Sequence, residues 1–127
     1  MIDDANVEQA GPNVPDTPGW TRAHNLVGWR SYLQQEPGSE GVSAYAAAAR
    51  AEDVSGLPPT IICVGTVDLF RDEDIAYAQR LMNAGVPTEL HVYADGFHGF
   101  DLFAAESDAA QRFTGEYTKL LSRALHS

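Results

Sequence analysis

The alternation of apolar and polar positions predicts two strands with a helix between them. Residues 60–64 form a continuous apolar run rich in β-branched side chains that Gly65 closes, a pattern typical of a strand covered on both faces of a parallel sheet. Residues 72–84 repeat apolar side chains at helical spacing, at Ile75, Ala78, Leu81 and Met82. Residues 88–93 alternate again, with Leu90 and Val92 on one predicted face and Glu89, His91 and Tyr93 on the other.

The flanking segments predict a loop and two more helices. Residues 3–19 are polar and contain Pro12, Pro15 and Pro18, so we expect extended loop that adds nothing to the core. A short amphipathic helix follows, with Asn25 as its N-cap and with Leu26, Trp29 and Leu33 on its buried face. A long C-terminal helix after an N-cap at Ser107 has an apolar stripe at Phe113, Tyr117, Leu120, Leu121 and Ala124.

Together these elements predict an α/β fold. Strand, helix and strand at this spacing make one parallel βαβ unit with a right-handed crossover. We divide the chain into residues 1–59, a connector and short helix, and residues 60–127, the strand-helix-strand-helix portion. A sheet of two parallel strands is a poor fold by itself, so we expect self-association or pairing with a further segment.

Composition and charge exclude several classes of protein. With 44% apolar and 20% charged residues the chain has the composition of a globular protein. A net charge of -10 disfavours binding to nucleic acids or to anionic lipids. The sequence has neither a stretch of membrane-spanning length nor an N-terminal signal peptide, so a cytoplasmic location is expected unless a targeting signal lies upstream. The lone Cys63 lies in an apolar run and is expected in the core.

Two polar residues follow the predicted strands where chemistry is expected. Asp68 lies in the loop after the first strand and His98 in the loop after the second. The carboxyl ends of neighbouring parallel strands meet at one edge of an open α/β sheet, which is where ligands gather. An aspartate there can orient a histidine that acts as a general base. The alternative is that Asp68 ends a strand or caps a helix and that His98 is a turn residue between Gly96 and Gly99.

The remaining polar and aromatic candidates suggest no further site. His24, His91 and His126 have no partner at metal-ligand spacing and are interpreted as surface residues, so we expect neither a metal nor a cofactor. The acidic run at residues 72–74 suits the positive end of a helix. Three aromatic side chains could line a pocket or pack in the core: Trp20, Trp29 and Tyr32.

The ordered motifs of the chain resemble the C-terminal third of the hormone-sensitive-lipase-like esterases of the α/β-hydrolase fold. The motifs that carry this resemblance are residues 65–73, residues 84–87, Tyr93 and residues 96–100, preceded by Trp20, residues 25–33 and residues 42–46. The resemblance implies that Asp68 and His98 are the acid and the base of a Ser-Asp-His triad, and that the substrates are short-chain acyl esters. Leu69 departs from the proline that the family often has there.

The nucleophile of such a triad is not found in this sequence. A nucleophile elbow requires Gly-x-Ser-x-Gly between a strand and a helix, and the nearest match is Gly41-Val42-Ser43-Ala44-Tyr45. Since no strand is predicted before Ser43, we interpret it as a structural turn residue. The His-Gly-Gly-Gly oxyanion loop of the family is also absent. Residues 1–4 resemble the tail of the family's sixth strand, so we expect the chain to correspond to the C-terminal portion of a longer enzyme.

Two functions follow from these observations. In the first, the chain is part of a serine carboxylic-ester hydrolase and is inactive alone, because its serine comes from elsewhere. In the second, it is a non-catalytic oligomerisation or interaction module in which Asp68 and His98 are vestigial. A flavodoxin-like binding domain ranks last, because no glycine-rich phosphate loop follows either strand.

Overall fold

A computed structural model describes residues 1–7 and 19–126 and contains the predicted strand-helix-strand unit. Strand β1 spans Thr60–Gly65 and strand β2 spans Thr88–Tyr93. They pair in parallel, with Thr60 opposite Thr88 and Gly65 opposite Tyr93. The described residues form one sheet of these two strands, and most side chains of β1 are therefore half-buried rather than fully covered. Because the two strands begin and end opposite each other, their carboxyl ends lie at the same edge of the sheet.

Helix α2, Arg71–Asn83, crosses between the two strands. Its predicted apolar face is confirmed at Ala78 and Leu81, which are fully buried, and Leu81 packs with Val54 and Val86. The same spacing predicts Met82 on this face, but about half of its surface is exposed, at 49%. Leu81 and Met82 are neighbours about 100° apart around the helix, and only the first of them faces the sheet.

The face assignment of β2 changes in the structure. Val92 is exposed, whereas Tyr93, on the face predicted to be polar, is fully buried against Phe100 and Phe113. The Tyr93 hydroxyl donates a hydrogen bond to Glu116 Oε2 at 2.8 Å, and burial raises the pKa of this phenol. The C-terminal helix therefore covers the face that alternation alone assigned to solvent.

Helix α1 begins earlier than the sequence pattern predicts. It spans Arg22–Leu33, and Thr21, in extended conformation, is its N-cap: Thr21 Oγ1 accepts a hydrogen bond from the His24 amide at 3.2 Å. The predicted cap, Asn25, is instead a buried residue inside the helix. The buried face is confirmed, because Trp29 packs with Val7, Val42 and Ala47 while Leu26 and Leu33 border this cluster.

The N-terminal segment is part of the packed structure. Asp4–Val7 forms one 3₁₀ turn, and both Asp4 and Val7 are buried. This differs from the loop predicted for residues 3–19, of which residues 8–18 lie outside the described part. Asp4 is held by a two-pronged ion pair with Arg50, at 2.6 and 2.8 Å, and by the Gly38 amide at 2.7 Å. A buried carboxylate with these partners anchors the segment.

Two helices end the chain, the short α3, Phe100–Phe103, and the long α4, Asp108–His126. Ser107 caps α4 as predicted, accepting a hydrogen bond from the Ala110 amide at 3.2 Å. Of the predicted stripe, Leu120 is buried and Phe113 half-buried, but Tyr117 and Leu121 are exposed in the described structure. None of the described helices combines the length and the apolar character needed to cross a membrane.

Candidate active site

The two loops that carry Asp68 and His98 are joined at the edge of the sheet. Beyond the last strand pair, the Thr66 amide donates to the Tyr93 carbonyl at 2.8 Å and the Val67 amide to the Gly96 carbonyl at 3.0 Å. The Asp95 amide donates to Thr66 Oγ1 at 2.8 Å. These bonds continue the pairing of β1 and β2 into the loops and fix one loop against the other.

Asp68 is buried and its carboxylate is held at both oxygens. The residue is 7% exposed. Its Oδ1 accepts a hydrogen bond from the Phe70 amide at 2.9 Å, and its Oδ2 lies 3.2 Å from His98 Nδ1. A carboxylate accepts hydrogen bonds only, so the Nδ1 proton of His98 is the donor in this contact. The aspartate thereby selects the tautomer in which His98 Nε2 is free to accept a proton.

The imidazole of His98 lies between this carboxylate and two aromatic rings. The Phe70 ring meets it edge-on at a centroid distance of 5.1 Å, and the Trp20 ring lies at 6.3 Å. The His98 side chain remains 43% exposed. The arrangement therefore shields the hydrogen-bonded side of the ring and leaves part of the imidazole open to an incoming group.

The three acidic residues at the start of α2 have different surroundings. Asp72 pairs with Arg71 at 2.6 Å, and Glu73 accepts hydrogen bonds from the Ile2 amide at 2.8 Å and from Asn6 Nδ2 at 2.7 Å. Burial raises the pKa of Asp74 to about 7, with further increases from the charges of Glu73 and Asp68 and an opposing effect from His98. The run thus holds the N-terminal segment as well as suiting the helix dipole.

The other histidines lie apart from this pair. His24, in the first turn of α1, accepts a hydrogen bond from the Thr21 amide at 3.4 Å and contacts Trp20. His91 lies 3.6 Å from both Glu89 and Glu116, and His126 contacts the Ser122 carbonyl at 2.7 Å. In the described part of the chain no group of three or more His, Cys, Asp or Glu side chains could hold a metal ion.

Ser43 lies in a turn. Its Oγ accepts a hydrogen bond from the Tyr45 amide at 3.2 Å, and its carbonyl accepts from the amides of Ala46 and Ala47. These contacts form a short local turn, and the described residues before it, 1–7 and 19–42, contain no strand. That Ser43 has a structural rather than a catalytic role stays a prediction.

Sequence reasoning gave Phe70 no role of its own and left Trp20 open between pocket and core. Phe70 follows Asp68 by two residues in a tight loop, and this spacing is the local signal that would have drawn attention to it. Trp20 is 78 positions away from His98 along the chain, so only the folded structure reveals their contact.

Comparisons with known proteins agree with this architecture. A family model described as alpha/beta hydrolase fold matches residues 2–102. Carboxylesterase NlhH of Mycobacterium tuberculosis is 41% identical over 75 residues, which are 59% of this chain and 24% of the relative. A bacterial heroin esterase superposes with a TM-score of 0.88 at 38% identity, over 100% of this chain and 41% of that structure.

A second solved structure belongs to a named family of esterases. An esterase of the bacterial hormone-sensitive lipase family superposes with a TM-score of 0.79 at 25% identity, over 97% of this chain and 40% of that structure. The chain therefore spans about a quarter of the sequence relative and about two fifths of the solved esterases. These matches show that the chain belongs to the α/β-hydrolase fold family, within its group of esterases related to hormone-sensitive lipase.

Proposed function

We propose that this chain supplies the acid and the base of a Ser-Asp-His triad in a carboxylic-ester hydrolase. The observation that carries the proposal is the 3.2 Å contact between His98 Nδ1 and the buried Asp68 carboxylate, with the imidazole partly open. Hydrolases of this kind need an oriented base beside a serine hydroxyl. The names of the relatives, a carboxylesterase and a heroin esterase, support esters as the substrate class.

In the proposed reaction, His98 Nε2 takes the proton of a serine hydroxyl while the serine oxygen attacks the ester carbonyl carbon. The bond to the alcohol then breaks, and His98 returns the proton to the leaving alkoxide, which departs as the alcohol. Water attacks the acyl-enzyme by the same base catalysis and releases the carboxylic acid and the serine. Asp68 stabilises the imidazolium that exists between these transfers.

We propose further that the serine lies outside these 127 residues, and that the chain is inactive without it. The sequence contains no Gly-x-Ser-x-Gly elbow, and Ser43 is occupied in a local turn. Small acyl esters would be hydrolysed at the site only once the missing nucleophile and its oxyanion donors are present.

The division into residues 1–59 and residues 60–127 remains part of this proposal. Packing within the first portion around Trp29, and within the second around Tyr93, supports it. The portions also contact each other through Trp20 on Leu69 and Phe70, so they would act as one unit rather than as independent domains.

A complementation assay tests the proposal. The chain is expressed alone and together with the N-terminal segment of a full-length relative, and turnover of p-nitrophenyl acetate is measured. We expect activity only with the complementing segment, and a loss of about 10³–10⁴-fold in Asp68→Asn and in His98→Ala. Asp95→Asn and His126→Ala are the matched controls, because both positions are exposed and lie outside the pair. If the complemented enzyme keeps its turnover in both Asp68→Asn and His98→Ala, the proposal is contradicted.

A non-catalytic association module is the second candidate. Its support is the exposed apolar side of α4, where Tyr117, Leu121 and Leu125 are 45%, 41% and 72% exposed, since apolar surface of this kind marks interaction sites. Light scattering coupled to size exclusion distinguishes the two candidates. A stable monomer contradicts the association module, whereas a defined oligomer without complemented esterase activity supports it.

A further inference from the structure

Trp20 connects helix α1 to the loop of His98. Its indole packs on Leu69 and Phe70, lies 5.8 Å from the His24 ring and lies 6.3 Å from the His98 ring at an interplanar angle of 49°. The residue therefore contacts the first turn of α1, the Asp68 loop and the histidine. Trp20 lies just before α1, and the aromatic residues inside the helix, Trp29 and Tyr32, have no described ring contact with His98.

A single hydrogen bond does not fix an imidazole. The contact with Asp68 holds Nδ1, but the ring could still rotate about that bond. Phe70 limits this rotation by its edge-on contact at 5.1 Å, and Trp20 adds a second ring at 6.3 Å. Aromatic contacts at such distances are favourable and have preferred orientations. Together with Asp68, the two rings restrict the orientation of His98.

Two glycines allow close packing around Trp20 and the His98 loop. A Cβ at Gly28 would lie 3.2 Å from the indole Cζ2, and a Cβ at Gly19 would lie 2.9 Å from the His98 carbonyl oxygen. The chain before α1 thus runs directly against the backbone of His98. The indole Nε1 is buried and has no hydrogen-bond partner among the described residues. The packing of the ring on Leu69 and Phe70 and its contacts with His24 and His98 keep the indole in place.

We propose that Trp20 is a positioning residue, which acts through His98 by keeping its imidazole aligned with Asp68 and shielding their hydrogen bond from water. The consequence for turnover rests on the proposed esterase function, whereas the effect on His98 is a property of this chain alone. Trp20 is expected to contribute to kcat and little to KM, because in this role it orients the base without binding the ester.

Nuclear magnetic resonance on the 127-residue chain tests the positioning directly. We expect a nuclear Overhauser effect between the Trp20 and His98 rings, and a resolved Nδ1 proton of His98 in 15N-histidine-labelled protein. Trp20→Ala should broaden that resonance through exchange with water, while Trp20→Phe should retain it. Tyr32→Ala is the matched control, since Tyr32 is a largely exposed aromatic residue of α1, the helix that follows Trp20.

Any of three results overturns the proposal. The first is the absence of a nuclear Overhauser effect between the Trp20 and His98 rings in the wild-type chain, and the second is the absence of a resolved Nδ1 proton. The third is a Trp20→Ala spectrum in which the His98 Nδ1 resonance is unchanged. If circular dichroism shows that Trp20→Ala is unfolded, the wild-type contact and the Trp20→Phe spectrum decide the question, because the phenyl ring must then hold the resonance.

Kinetics of the complemented enzyme test the catalytic consequence. Trp20→Ala is expected to lower kcat about 10-fold with KM within about twofold, since small misplacements of catalytic groups cost one to two orders of magnitude. Trp20→Phe should recover most of kcat. An effect on KM alone contradicts the positioning role. An inactive complemented wild type counts against the proposed function, and the spectra then still decide whether Trp20 positions His98.

Discussion

Gly65 and Gly96 meet backbone to backbone at the edge of the sheet where Asp68 and His98 lie. A Cβ added at Gly65 would lie 2.0 Å from the carbonyl oxygen of Gly96 and 2.3 Å from its carbonyl carbon. Both obstacles are main-chain atoms, so no side-chain rotation relieves the clash. The loops of Asp68 and His98 can therefore approach each other this closely only because residue 65 is a glycine.

Gly65→Ala is expected to separate the loops and to destabilise the chain by roughly 1–3 kcal/mol, the usual cost of overpacking. In the complemented enzyme it should also lower turnover strongly, because Asp68 and His98 move apart. Chemical denaturation and ester turnover measure the two effects. Gly115→Ala is the control: it lies within α4 with nothing within 4 Å of its added Cβ, and it should stabilise the chain by up to about 1 kcal/mol. Equal effects of both substitutions contradict the prediction.

The ionisation of Asp74 is expected to make the free energy of unfolding depend on pH. Burial raises its pKa in the folded chain to about 7, above the ordinary value of 3.8. A raised carboxyl pKa means that the folded state binds the proton more tightly than the unfolded state. The stabilisation of the folded state by this proton is therefore fully present below about pH 4 and is lost as pH rises to about 7. Asp74→Asn should therefore stabilise the chain by about 1–3 kcal/mol at pH 8 and by much less at pH 4.

Thermal unfolding of wild type and Asp74→Asn across this range checks the prediction. Asp95→Asn, a substitution of the same chemistry at an exposed site, corrects for the change in net charge. A difference between Asp74→Asn and wild type that does not vary with pH would show that Asp74 is ionised normally in the folded chain.

The buried ion pair of Asp4 and Arg50 should contribute far more than an exposed one. Asp4 is fully buried and bonded to both Arg50 and Gly38, so Asp4→Ala, which leaves Arg50 without its partner, is expected to cost about 3–5 kcal/mol. Glu36→Ala removes the exposed pair with Arg30 and should cost less than about 1 kcal/mol. Denaturation midpoints compare the two, and similar losses would contradict the assignment.

The same pair predicts acid sensitivity. The hydrogen bond from Arg50 lowers the pKa of Asp4 below its ordinary value of 3.8, so the stabilisation is present above about pH 4 and is lost as pH falls below it. Wild type should lose stability on acidification at pH 2–4, and Asp4→Ala should lose less of it. Parallel acid titrations of both proteins, followed by circular dichroism, measure this difference.

Ser43 is expected to be dispensable for catalysis. Ser43→Ala removes the hydrogen bond accepted by its Oγ but keeps the turn formed by its carbonyl, so stability should fall by no more than about 1 kcal/mol. Turnover by the complemented enzyme should stay within about twofold, whereas the loss in Asp68→Asn is about 10³–10⁴-fold. A loss of comparable size in Ser43→Ala would identify Ser43 as the nucleophile.

The elements with strong local signals could be predicted from the sequence. Strand β1, helix α2 and the Ser107 cap depend on neighbouring residues, and all three are present near their predicted bounds. One error is local: Thr21, whose side chain accepts from the His24 amide, caps α1 instead of Asn25. The other falls where distant packing decides, since Tyr93 rather than Val92 is buried. Alternation along a strand separates its two faces, but it does not reveal which face a later helix will cover.

The sequence by itself determined which residues carry the candidate chemistry and that they follow neighbouring strands, because strand ends and glycine turns are encoded locally. Only the tertiary structure decided that Asp68 lies 3.2 Å from His98, that Phe70 and Trp20 flank the imidazole, and that Asp4 is buried against Arg50. These relationships join residues far apart in the chain, and they depend on strand register and on close backbone approach, which no local pattern specifies.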